Sequence, residues 1–157
     1  MAHTYSIGVD IGGTNTDIGL VREDGNIVAR RNIPTNKYFD IEVYLKDITE
    51  LVKEMMKEHE LDKIDGIGIC APNGNTYNCT FSGATNLNFK GEFNVQEIVS
   101  KYMDVPVVVS NDANAAAFGE MIYGGGKGMK HLIMFTLGTG VGTGIIVDGK
   151  LLLGATG

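Results

Sequence analysis

No apolar run in this 157-residue sequence approaches the ~20 residues a helix needs to cross a bilayer. No basic cluster is larger than Arg30-Arg31, and 13 lysines and arginines stand against 19 aspartates and glutamates, a formal net charge of −6. A nucleic-acid footprint needs the opposite balance, so neither a membrane span nor a nucleic-acid partner is expected. The chain passes from Met1 almost directly into strand-like sequence, without the basic, apolar and small-residue succession of a secretory leader. A soluble cytoplasmic protein is the expectation. Cysteine is scarce too. Cys70 and Cys79 show no CxxC spacing and no histidine beside them, which excludes a metal site built on them and leaves two ordinary buried or half-buried thiols.

What the sequence has in excess is glycine: 22 residues, about 14% against a usual ~7%. They stand at strand ends and turns, not in a low-complexity tract, and this favours a ligand site built from loops. The first such place is Tyr5 to Val21. Apolar Ile7, Val9 and Ile11 alternate with small or polar residues, the period of a half-buried strand; Gly12-Gly13 breaks it, and Ile18, Leu20 and Val21 resume it. No helix starts after the glycines, so a P-loop and a dinucleotide-binding turn both fit poorly. The remaining reading is a hairpin whose backbone amides, unobstructed by side chains, can approach a phosphate. Asp10 beside it is placed either to face a magnesium ion or to cap the turn.

The plan recurs. Met134 to Leu151 repeats Val9 to Ile27: apolar strand, glycine turn (Gly138-Thr139-Gly140), apolar strand, Asp-Gly turn, third strand. Asp24-Gly25 and Asp148-Gly149 are each the signature of a second hairpin. Two such hairpins suggest a duplicated architecture with a nucleotide clamped between the copies. The first copy is followed by about a hundred further residues and the second by only a few, so the expected organisation is a first lobe at 1–123 and the opening strands of a second at 124–157.

Between the copies, Asn26 to Ile33 reads as a strand closed by Pro34. Asp40 opens a helix whose Ile41, Tyr44, Leu45, Ile48, Leu51, Val52, Met55 and Met56 form a core stripe. Ile64 to Ala71 reads as a strand ending in the turn Pro72-Asn73-Gly74. About twenty residues without period follow, a polar loop of the kind that binds small molecules beyond a strand's carboxyl end. Asn73, Asn86 and Asn88 in it are candidates for hydroxyl recognition, and equally for plain turn chemistry. Asn94 to Met103 reads as a short helix and Pro106 to Ser110 as a buried parallel strand. That strand runs into an alanine-rich helix through Asn111-Asp112, a junction that suits an N-cap and equally a catalytic carboxylate.

Five stretches together, Asp10-Ile11-Gly12-Gly13-Thr14-Asn15, Gly68-Ile69-Cys70-Ala71-Pro72, Asn86-Leu87, Val107 to Glu120 and Leu137-Gly138-Thr139-Gly140-Val141-Gly142, resemble the ROK family of sugar kinases and related repressors. That family lies within the superfamily of actin-like, hexokinase-like and chaperone-like ATPases. The resemblance implies an α/β fold, an RNase H-like (actin-like ATPase) mixed sheet flanked by helices, with the first lobe complete and the second truncated after its first strands. It implies ATP-dependent phosphorylation of a hexose or amino-hexose, the chain alone being inactive. Asp112 would be the base that takes the sugar hydroxyl's proton; Asn86, Asn111 and Gly74 would stand in the sugar site with it. Gly12, Gly13, Thr14 and Asn15 would carry one side of the ATP phosphates, and Gly138, Thr139 and Gly140 the other. Asp10 would hold Mg2+ through water. Zinc is not expected, since the family's cysteine-rich site would lie beyond residue 157. Sugar and ATP are the implied partners, in a homodimer. Asn73-Gly74-Asn75-Thr76-Tyr77 departs from the family's usual run after Ala71-Pro72, leaving the sugar's identity open. The competing readings are a non-catalytic sugar-sensing or regulatory member of the same family, of which the DNA-binding repressor version is disfavoured because only four residues precede Tyr5, and an actin-like or chaperone-like ATPase, against which Asn111-Asp112-Ala113-Asn114 speaks.

Overall fold

The computed structural model of the chain describes residues 3–82, 87–138 and 140–155. Strands β1 (Tyr5–Ile11), β2 (Asn15–Arg22) and β3 (Ile27–Pro34) form an antiparallel meander. β4 (Ile67–Cys70) then lies parallel to β1, and β8 (Val107–Ser110) parallel to β4, giving a five-stranded mixed sheet in the order β3-β2-β1-β4-β8. The long crossover between β3 and β4 is what a parallel pair requires. It is made by a 3₁₀ turn (Thr35–Lys37) and helix α1 (Ile41–Glu58).

Helix α1 starts where the sequence places it. The Asp40 carboxylate accepts from the amides of Glu42 and Val43, at 2.7 and 3.1 Å, a cap worth about 1 kcal/mol. Ile41, Tyr44, Leu45, Ile48, Val52 and Met55 are buried against Ile7, Val9, Ile18, Leu20, Ile67 and Ile69 of the sheet. Each fully buried aliphatic chain of this kind contributes about 1.5–3 kcal/mol of transfer free energy. Leu51 and Met56 lie at the margin of the same stripe.

Three expectations need correction. The segment after Pro72, read as lacking regular structure, contains a second small sheet, β5 (Gly74–Asn75), β6 (Thr80–Ser82) and β7 (Glu92–Asn94), in the order β5-β6-β7. Strands of two or three residues are too short to show a period. Tertiary packing of Phe81, Phe89 and Phe93, with ring centroids 5.9–6.1 Å apart, sets them instead. The following helix α2 (Val95–Val99) is shorter than read, capped by Asn94, which accepts from Glu97 N. And β8 is buried on one face only: Val107 and Val109 enter the core while Val108 is 55% exposed on the other face, beside the likewise exposed Gly68 of β4.

Helix α3 (Asp112–Tyr123) follows β8, and a second three-stranded sheet, β9 (Leu132–Leu137), β10 (Val141–Val147) and β11 (Lys150–Leu151), packs on it. Ala117, Met121 and Ile146 are buried between them. The Asp-Gly turns of the two copies are both formed but differ. Asp148 and Gly149 both have positive φ (51° and 73°), the tight two-residue hairpin, whereas in the first copy Arg22 N bonds Asn26 O across a longer loop in which Gly25 takes the left-handed position.

Candidate functional site

Parallel register puts Asp10 beside Cys70, and Cys70 beside Ser110. The three alternate with buried Val9, Ile69 and Val109, so they stand in a row on the sheet face opposite α1, near the carboxyl ends of β1, β4 and β8. This is the edge where open α/β sheets hold ligands. A cleft of about 250 Å³ runs along that face, lined by Gly8, Asp10, Asp17, Gly19, Arg30 and Cys70 among others. A larger groove of about 630 Å³ near Lys53, Lys57 and Met103 contains none of the candidate residues.

The electrostatics mark the same place. Burial pushes the Asp10 carboxyl above its ordinary range, and the charges of Asp112 and Asp17 add to it. Burial, then Asp10 and Asp112, push the Cys70 thiol up to about 11, which keeps it a neutral thiol at the floor of the site. Asp10 and Asp112, 102 positions apart in sequence, are thus electrostatic neighbours. Ser110 Oγ is buried with no hydrogen-bond partner among the described residues.

Around this row the candidate residues fall as follows. Asn111 caps α3, its side-chain oxygen accepting from Asn114 N at 2.8 Å, and Asp112 occupies the exposed first turn. Gly12 donates its amide to Asn15 O at 3.0 Å, closing the β1–β2 turn. A Cβ on Gly12 would stand 2.8 Å from that carbonyl, so a side chain there would open the turn. Gly13 is half-buried, and Thr14 and Asn15 are exposed at the tip. Gly74 is pressed against the Ser110 carbonyl so closely that no Cβ fits, which pins the loop after Pro72 to the end of β8, one residue before Asn111. Gly138 N bonds Gly140 O at 2.9 Å, and both glycines are exposed with open space where a Cβ would lie. This second turn leads into Gly142, whose Cα packs on Ala113, the neighbour of Asp112. Asn86 and Thr139 lie outside the described residues. Asn88 turns away from hydroxyl recognition: its amide donates to Asn36 O at 2.7 Å. Cys70, Asp17 and Ser110 were not singled out in the sequence as site residues, and only the strand register reveals them.

A group of three or more His, Cys, Asp or Glu side chains able to hold a metal is absent among the described residues. Magnesium does not need one: it is commonly held by one or two carboxylates, water and the substrate's own phosphates. Asp10, carrying repulsion from Asp112 that a cation would relieve, has the donor chemistry for that arrangement. The Gly12 turn is tight and its tip residues Thr14 and Asn15 are exposed, though the Gly12 amide itself is taken up in closing the turn on Asn15 O.

Comparison with known proteins gives the family. The model of the ROK family matches residues 6–157. The chain is 42% identical over 152 residues to a glucokinase of Streptomyces coelicolor, covering 97% of this chain and 46% of that protein. It is 36% identical over 160 residues to a glucokinase of Halalkalibacterium halodurans, covering 100% of this chain and 48% of that one. Among solved structures, a ROK family glucokinase from Streptomyces griseus in complex with glucose and AMPPNP superposes with a TM-score of 0.81 at 36% identity, over 98% of this chain and 47% of that one. A ROK hexokinase from Thermus thermophilus superposes at 0.83 with 25% identity, over 98% and 50%. The chain therefore spans about half the length of the relatives it matches.

Proposed function

Because this chain belongs to the ROK family, we propose that it supplies the sugar-holding side and the first phosphate turns of an ATP-dependent sugar kinase, in a protein about twice its length. Asp112 is the general base. It stands exposed at the helix start, and its carboxylate can accept a proton from a sugar hydroxyl. Asn111 keeps its side-chain oxygen in the helix cap, so its amide NH2 is the end available to a neighbouring hydroxyl. Asn86 is assigned with it, and Gly74 ties the start of the loop after Pro72 to the Ser110 carbonyl, next to Asn111. Gly12, Gly13, Thr14 and Asn15 form the turn that receives the phosphates on one side, and Gly138, Thr139 and Gly140 the turn on the other; the Gly12 and Gly138 amides close their own turns, so any backbone donation to phosphate comes from the other residues.

Bound magnesium would neutralise charge across the transferred phosphate, with Asp10 holding its water shell. What the chain's own residues do is position: phosphoryl transfer asks the protein mainly to align reactants and screen charge. Residues 1–123 form one lobe and 124–157 open the second in this reading, and closure of the two excludes water that would otherwise accept the phosphate. The intact protein is a cytoplasmic homodimer, and this chain alone is inactive.

The observation that supports the proposal is that Asp112, at the start of the helix after β8, acts electrostatically on Asp10, near the carboxyl end of β1 and two residues before Gly12. The test is a coupled assay of the longer natural protein with ATP and magnesium against glucose, fructose, mannose, allose, N-acetylglucosamine and N-acetylmannosamine. Relatives named glucokinase make glucose the first sugar to try. Turnover of at least one sugar is expected. Sugar binding by calorimetry with no turnover across the panel would show a sensing module instead.

A further inference from the structure

Tyr44 was read in the sequence only as one apolar position of the α1 stripe, yet its hydroxyl does something the stripe does not require. The side chain is 0% exposed, and its OH is hydrogen-bonded to Thr16 Oγ1, itself 0% exposed. Thr16 Oγ1 is also bonded to Thr35 Oγ1 at 2.6 Å. Thr16 is the partner of Ile11 across the hairpin, so it closes the ladder directly beneath the turn Gly12–Asn15. Thr35 opens the 3₁₀ turn, and the next residue, Asn36, donates its amide to Thr14 O at 3.4 Å. Three buried hydroxyls and one backbone bond therefore brace the underside of the glycine turn. For stability alone, apolar groups of the same shape would serve as well or better. What a closed hydroxyl set adds in a core is a fixed geometry.

The ring of Tyr44 packs towards the small β5–β6–β7 sheet. Its ring centroid lies 5.4 Å from Phe89 and 5.0 Å from Tyr38. Phe89 continues into the Phe81 and Phe93 cluster of the small sheet, which carries the loop beyond Pro72. Asn88, beside Phe89, reaches Asn36 O at 2.7 Å, a second tie between the two segments.

We propose that Tyr44 is a positioning residue for the nucleotide: through Thr16 it sets the height of the Gly12–Asn15 turn against the phosphates, and through Phe89 it ties that turn to the sugar loop. The inference rests on the assignment of this turn to phosphate under Proposed function. Burial holds the phenol pKa up to about 12, so the hydroxyl stays intact across the working range of pH.

The test uses the longer natural protein and steady-state kinetics. Tyr44→Phe keeps the ring and removes the hydroxyl. The expected result is a KM for ATP raised about fivefold, the worth of one net hydrogen bond, with kcat and the sugar KM within about twofold of wild type. Thr16→Val should do the same, and Thr16→Ser, which restores the hydroxyl, should recover most of the loss. That pair carries the test if Tyr44→Phe fails to fold. A merely structural hydroxyl would lower the unfolding midpoint and leave the ATP KM unchanged, and that outcome overturns the proposal, as does an equal rise in the sugar KM. Gly12→Ala separates the two layers of argument. If it leaves the ATP KM unchanged, the turn does not hold the nucleotide and the parent reading fails; if it raises the KM while Tyr44→Phe does not, only the role of Tyr44 falls.

Discussion

Asp112, in the first turn of α3, adds its negative charge to the burial that already raises the Asp10 carboxyl near the end of β1. Native Asp10 therefore holds its proton more tightly than in the unfolded chain, whose ordinary value is 3.8. Its contribution to stability is fully present below that value and is lost as pH rises through the raised native pKa. Once ionised, Asp10 is a cost to the fold, the pattern of a residue kept for chemistry. Asp10 is exposed, so water screens much of this repulsion, and Asp10→Asn should raise the melting temperature of the chain only slightly at pH 7. The gain should shrink as pH falls towards 4. Calorimetry across pH checks it, and a drop in melting temperature at pH 7 would contradict the electrostatic account.

Asp112→Asn tests the base directly. The amide keeps the shape and a hydrogen bond to the sugar while removing proton acceptance. In the longer protein, kcat should fall by about 10³ or more, within the range for general-base removal, and sugar binding measured by calorimetry should stay within about threefold. Turnover at wild-type rate would remove Asp112 from that role.

The packing of the second sheet on α3 is set by missing side chains. At Gly144 any Cβ would overlap the Ala117 methyl and approach Ala113 O at 2.5 Å, and at Gly142 it would lie 2.9 Å from the Ala113 methyl. Backbone-to-helix contact this close admits only glycine. Gly144→Val should destabilise by about 1–3 kcal/mol, the usual cost of overpacking, read as a lowered urea midpoint. Gly144→Ala should be only partly rescued by Ala117→Gly, since the methyl clash is relieved and the Ala113 carbonyl stays. Full rescue would place the seam elsewhere.

Local features were legible in the sequence and long-range ones were not. The Asp40 cap, the α1 stripe and the glycine hairpin each lie within a few residues, where propensity and period act. The row Asp10, Cys70, Ser110 depends on parallel register between strands sixty and forty residues apart, on which no short window reports. The β5–β6–β7 sheet was invisible for the same reason: its strands owe their existence to the aromatic cluster that they help to close. Tyr44 belongs to both classes, since its apolar position was readable from spacing and its hydroxyl partners were not.

The β9–β10–β11 sheet also presents an apolar face that is exposed among the described residues. Register sets Leu137 opposite Val141, Phe135 opposite Thr143 and Ile133 opposite Ile145, and on that side Leu137 is 80%, Val141 73% and Phe135 64% exposed. The reverse side of the same strands, with Leu132, Met134 and Ile146, packs on α3. An apolar surface concentrated this way on two adjacent strands is a site of association. The chain produced on its own should therefore self-associate, with an apparent mass in sedimentation that rises with concentration. Phe135→Lys combined with Leu137→Lys puts two charges on the open face without touching the packed one, and should return the chain to a monomer with an unchanged far-ultraviolet circular dichroism spectrum. Monomeric behaviour of the unaltered chain at every soluble concentration would show that this face, apolar as it is, does not drive assembly.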